Sequence, residues 1–119
     1  MANIKESLED LMTVDGAKCV SLVDSSSGMV LGEMGTGVDM ELAAAGNSEV
    51  VKAKMKTMKN LGLKTEIEDI LITLGDQYHI IRPMVSQKGL FLYVVLDKEK
   101  GNLALARRKT QNVEEALKV

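Results

Sequence analysis

The sequence predicts an α/β fold of the α+β type: a five-stranded antiparallel sheet sandwiched by helices, in the order α-β-β-α-β-β-β-α. Three observations carry this. Short turn-forming stretches separate β-rich runs, which makes neighbouring strands antiparallel hairpins. The run "LFLYVVLD", Leu90 to Asp97, is apolar at both alternating sets of positions, so both faces of the sheet need a cover there. Stretches of helical periodicity before, between and after the strands supply that cover.

Each element has its own signal. Asn3 caps the first helix while Glu6 reaches back, a capping-box arrangement. Ile4, Leu8, Leu11 and Met12 fall on one stripe, and Gly16 stops the helix. "KCVSLVD", Lys18 to Asp24, reads as a strand, Ser25 to Gly28 as its turn, and "MVLGEM", Met29 to Met34, as its hairpin partner. A second helix is expected from about Met40 to Asn60, closed by Gly62. A strand over Asp69 to Leu74 then meets Gly75–Asp76, a favoured two-residue hairpin turn. "YHIIRPMVS" is the next strand, with "QKG" as the turn before Leu90. Pro83 has no N–H to give to a ladder, so a bulge or the end of the strand is expected there. Asn102 caps a last helix with Leu103, Ala106, Thr110, Val113 and Leu117 at heptad-like spacing.

A chain of 119 residues without linker, repeat or low-complexity segment predicts a single domain over 1–119, large enough for a real core. No apolar run approaches the roughly 20 residues that span a bilayer, and the polar start "MANIKESLED" is not a secretory signal. The lone Cys19 lies in an apolar run and cannot form an internal disulfide, which fits a buried thiol in a reducing, cytoplasmic setting. A net charge of −2 offers no general attraction to nucleic acid. Tyr78, Phe91 and Tyr93 are the only aromatics, too few for a base-stacking platform.

The stretch "DSSSGMVLGEMGTG", Asp24 to Gly37, invites comparison with a phosphate-binding loop. Such a loop needs a lysine after its last glycine and a wider spacing; here Glu33 follows Gly32 and would repel phosphate. A dinucleotide fingerprint fails as well, because Gly32, Gly35 and Gly37 run in the reverse spacing. The stretch is read as a hairpin and the crossover to the second helix. His79, the only histidine, has no metal-ligand spacing around it, and Ser25 to Ser27 lack a nucleophile-elbow context. Neither catalytic residues, nor a metal site, nor a cofactor site is expected.

The second helix is the informative element. On a helical wheel Met40, Ala44, Val51, Met55 and Met58 share one side, opposite Glu41, Glu49, Lys52, Lys56 and Lys59. Asn47 and Lys54 interrupt the apolar stripe, and Ala43, Gly46 and Ala53 make one flank small. Gly46 costs about 1 kcal/mol against alanine in mid-helix, so close packing is its expected reason. Two readings stand: a core-facing helix with snorkelling lysines, or a helix facing both its own sheet and a partner chain. Methionine, present eight times, suits both irregular cores and adaptable interfaces.

Three stretches, "VSLVDSSSGMVLGEMG", "IEDILITLGDQYHIIRPM" and "LFLYVVLDKEKGNLALARRK", together with the element order, resemble the roadblock/dynein light-chain domains over nearly the whole chain. The resemblance implies a homodimer, pairing through the third strand and the second helix. It also implies a non-catalytic platform for a small Ras-like GTPase, as in the bacterial mutual-gliding type, or a light chain on dynein. The candidate dimer or partner residues are Asn47, Val51, Lys54, Met55 and Met58. The rival expectations are a small-ligand sensor, for which only Tyr78, His79 and Arg82 come near a buried polar cluster, and a dynein-light-chain-like adaptor.

Overall fold

The structure, a computed structural model, describes residues 2–119. Helix α1 spans Ile4–Met12, β1 Ala17–Asp24, β2 Met29–Gly35 and α2 Met40–Asn60. Strands β3 (Ile70–Thr73), β4 (Gln77–Pro83) and β5 (Leu90–Asp97) follow, and α3 (Leu103–Ala116) closes the order. The five strands form one sheet in the order β2-β1-β5-β4-β3, antiparallel at every step. The expected α+β architecture is therefore present.

Local chemistry sets the boundaries. The capping box forms: Glu6 N–H donates to Asn3 Oδ1 at 2.8 Å and Asn3 N–H donates to Glu6 Oε1 at 3.2 Å. Pro83 is the last residue of β4, so the missing N–H falls where the ladder stops. Met84 to Ser86 consequently leave the strand expected to include them. Leu74 N–H donates to Gln77 C=O at 2.8 Å across the Gly75–Asp76 turn. β3 is shorter than expected at both ends: Leu74 belongs to the turn, and Asp69 lies just before the strand with its carboxylate on Arg107 of α3. Arg107 Nε and Nη2 donate to Asp69 Oδ2 and Oδ1 at 2.8 and 2.9 Å, a bidentate fork that pins the entry to β3. The glycine stretch is a hairpin, with Gly28 at φ 76° in its turn and a register shift opposite Leu22/Val23. Gly32 is small for a packing reason: a Cβ there would sit 2.8 Å from Ile4 Cγ2 of α1.

The sheet separates two apolar layers by strand periodicity. On one face Val20, Leu22, Ile80, Leu92, Val94 and Leu96 meet Leu8 and Leu11 of α1 and Ala106 and Val113 of α3. There α1 packs over β1 and β2 and α3 over β4 and β5, so a helix lies over both halves. The alternate residues Cys19, Val23, Ile81, Phe91, Tyr93 and Val95 form the other face with Met40, Ala44 and Val51 of α2. Full burial of each large side chain contributes about 1.5–3 kcal/mol, which makes both layers substantial. The α1–α3 layer also holds an ion pair: Arg82 Nε donates to Glu114 Oε1 at 3.1 Å, with both side chains nearly sealed from solvent. Glu114 falls outside the apolar stripe expected for α3, and Arg82 is what admits it.

Candidate functional site

Helix α2 starts at Asp39, whose carboxylate accepts from Leu42 N–H at 3.1 Å, and runs for 21 residues. Its inward stripe is Met40, Ala44, Ser48 and Val51, all buried. Ser48 belongs to it because its hydroxyl donates to Ala44 C=O at 2.7 Å and so loses its demand for water. The expected stripe holds only for its first half. Met55 is 48% exposed and Met58 half-buried, because α2 lies over β1 and β2 and its last turns project past the sheet.

The five candidate residues therefore occupy three settings. Val51 is core. Asn47, half-buried, sits on the flank facing β5, and Lys54, seven residues on and so nearly in line with it, is exposed. Met55 and Met58 line a groove of about 390 Å³, with Val51 at its inner end. Leu63 and Ile67 of the segment after α2, with Val85 of the β4–β5 connection and Leu90 at the start of β5, form its other walls. Ser25 helps fix that connection, its backbone N–H and its hydroxyl both donating to Gly89 C=O at 2.7 Å. Lys59 and Lys88 stand on the groove walls, beside the acid Glu66.

Between Asn47 and the sheet edge lies a polar chain. Tyr93 O–H and His79 Nδ1 are 2.9 Å apart, and His79 Nε2 is 2.9 Å from Gln77 Oε1. With the proton on Nε2, the imidazole donates to Gln77 and accepts from the Tyr93 hydroxyl. The two rings meet edge-to-face, 5.4 Å between centroids and 78° between planes. Burial pushes the His79 pKa below its ordinary value, against the opposing charge of Asp76. Burial likewise pushes Tyr93 up, with the Asn47 amide working the other way. The three residues expected as a polar cluster are divided by strand periodicity. Tyr78 and Arg82 share the α1–α3 face with Ile80, while His79 lies on the α2 face with Ile81.

Beyond His79 the α2 face ends in β3. Ile70 and Ile72 are half-buried against Ile81 and its neighbours, and α2 lies over β1 and β2 instead. Among the described residues, the outer edge of β3 has no strand beside it. In the sequence only the resemblance points to this end, through the third strand; its residues are not named there, although the alternation of Ile70 and Ile72 is visible in "DILIT". Among the described residues, no three His, Cys, Asp or Glu side chains gather as a metal site. Among them, no helix is long and apolar enough to cross a membrane. Cys19 is buried, and that burial raises its thiol pKa.

A long α2 laid over two strands of a five-stranded sheet, with α1 and α3 behind it, has counterparts among solved structures. The chain superposes on the roadblock/LC7 domain from Streptomyces avermitilis with a TM-score of 0.82 at 14% identity, over 97% of this chain and 94% of that one. The fold is the roadblock fold. MglB of Myxococcus xanthus matches with a TM-score of 0.82 at 21% identity, covering 94% of this chain and 89% of that one. The gliding protein MglB of Thermus thermophilus matches at 0.73 and 17%, covering 94% and 88%. No family model matches the sequence, and no curated protein does. The likeness read from the three sequence stretches is thus present in the backbone at low identity.

Proposed function

We propose that the chain is a non-catalytic, cytoplasmic homodimer that regulates or scaffolds a small Ras-like GTPase. One observation carries the dimer: α2 packs chiefly over β1 and β2, and the far half of that face ends in the open edge of β3. An open strand edge beside half-buried isoleucines favours a second strand, and an identical copy offers one by two-fold symmetry. In this reading β3 pairs with β3 of the partner, and the α2 helices meet along the flank that carries Asn47 and Lys54. Gly46 and Ala43 let the backbones approach there. Met55 and Met58, supported by Val51, belong to the partner-binding end. The likeness to MglB in fold, and the resemblance of the three sequence stretches, support the GTPase as partner.

Light scattering at micromolar concentration is expected to return about twice the chain mass of 12.9 kDa. Ile72→Asp is expected to give a folded monomer, since an unpaired charge in a closed seam costs several kcal/mol. Small GTPases of the same organism, loaded in turn with GTP and GDP, then test the partner by calorimetry. A regulator binds one state more tightly, because differential affinity is the only means by which it shifts a switch. A monomer at all concentrations sinks the dimer, and equal affinity for both nucleotide states reduces the role to a passive scaffold.

A further inference from the structure

The groove under the last turns of α2 combines three properties. It is apolar, lined by Met55, Met58, Leu63, Ile67, Val85 and Leu90. It is also presented to solvent: Met55 is 48%, Leu63 51% and Val85 55% exposed. Clustered exposed apolar side chains of this kind mark interaction sites, and methionine adapts to the shape of what it meets. The third property is charge. From Val51 to Asn60 the helix carries Lys52, Lys54, Lys56 and Lys59 and no acid, although the chain as a whole is at −2. Lys59 lines the groove itself, and Lys88 faces into it from the β4–β5 connection, against the one acid, Glu66.

Charge and shape together choose the occupant. A small-molecule pocket encloses most of its ligand, whereas this groove lies along the helix with exposed walls. An amphipathic segment fits that form, with apolar anchors at helical spacing reaching between the methionines and Val85. Lysines around the groove favour acidic residues beside those anchors and repel a basic segment. We propose that this groove docks an acidic amphipathic helix belonging to a partner protein. The proposal rests on α2 as the partner-binding helix and is independent of how the β3 edge is used.

The test uses a fluorescein-labelled synthetic helix with leucines at i, i+4, i+7 and i+11 and glutamates on its flanks. Its counterpart carries lysine for every glutamate. Anisotropy with the full chain is expected to show saturable micromolar binding of the acidic peptide, and roughly tenfold or greater weakening for the lysine counterpart. Val85→Asp is expected to abolish binding, with circular dichroism and the mass in solution unchanged. The double change Lys59→Glu with Lys88→Glu disturbs no buried side chain, and is expected to weaken binding and flatten its salt dependence. Equal binding of the two peptides, or none up to millimolar with a folded chain, overturns the proposal. Oleate or phosphatidylglycerol vesicles that bind saturably and displace the peptide also overturn it, in favour of a lipid site. GTPase binding measured on the same variants separates the two ideas. A chain that takes the acidic peptide but no GTPase loses the function proposed above and keeps this one.

Discussion

The two faces of the sheet are built from alternate residues of the same strands, yet they are finished differently. Over the α1–α3 face a helix lies on each half, and the charged groups beneath are matched, Arg82 to Glu114 at 3.1 Å. Over the α2 face one long helix covers β1 and β2, then runs on past the sheet. Its polar groups form a chain from Gln77 through His79 to Tyr93 that reaches toward the open end. The first face is closed by what the chain itself provides. The second has an apolar edge, a small-sided helix flank and a groove, which the proposed dimer and partner would complete. The strands are common to both faces, so the difference lies in the number and placement of the helices. A fold of this kind can keep one face for stability and offer the other for binding.

The sharpest way to break this contrast is to truncate one residue on each side. Glu114→Ala leaves Arg82 buried without its partner and is expected to cost about 3–5 kcal/mol in urea unfolding. Met55→Ala, on the projecting end of α2, is expected to change stability by less than about 1 kcal/mol. Equal costs would mean that the α2 face is as closed as the other.

Gly46 gives a smaller and more pointed test. An added Cβ would meet nothing within 4 Å in the single chain. Gly46→Ala is therefore expected to stabilise the monomer by about 0.5–1 kcal/mol, the helix-propensity difference. If the α2 helices approach each other there, the same change weakens the dimer, and sedimentation at several concentrations reads both effects. A gain in stability with an unchanged dimer would move the close approach away from Gly46.

The smallest expected effect is the pH response of the polar chain. Because burial holds the His79 pKa below its ordinary 6.5, the folded state favours the neutral ring. The unfolded chain then binds more protons below pH 6.5, so stability is full above that value and falls as pH drops toward the folded pKa. His79→Gln is expected to remove that slope from urea midpoints collected across the window. A slope that survives belongs to other groups, and His79 would then be no part of a coupled chain.

How much of this was legible in the sequence depends on how local its cause is. The capping box of Asn3 and Glu6, the two-residue turn at Gly75–Asp76 and the strand end at Pro83 are set by neighbours in the chain, and were read correctly. The inward stripe of α2, expected through Met58, holds only to Val51, since periodicity does not say where the sheet beneath ends. Ser48 and Glu114 lie outside the stripes expected for α2 and α3. Each is buried through one partner, Ala44 C=O or Arg82, and only the first of these is near in sequence. Asp69 was assigned to β3 and instead holds Arg107, 38 residues away. The chain from Gln77 through His79 to Tyr93 needs the β4–β5 register before it exists at all. Of the site, the exposed candidates on α2 were visible in the pattern, while the groove required the β4–β5 connection to be brought against them.

The strand order has a consequence for how the molecule comes into being. β1 lies between β2, its hairpin neighbour, and β5, which begins only at Leu90. Ser25, just after β1, bonds to Gly89, 64 residues later, at the mouth of that central ladder. A chain emerging from the ribosome can form α1 and the β1–β2 hairpin early, since these are local. The inner edge of β1 then waits, unpaired and apolar at Val20, Leu22 and Val23, for β5 to arrive. Closing so long a loop carries its entropic cost before the ladder offsets it, and such topologies fold slowly for their size. A nascent chain stalled before Leu90 would therefore display a sticky edge that the finished protein hides. The interval before Asp97 clears the exit tunnel is when holdase chaperones have the most to grip.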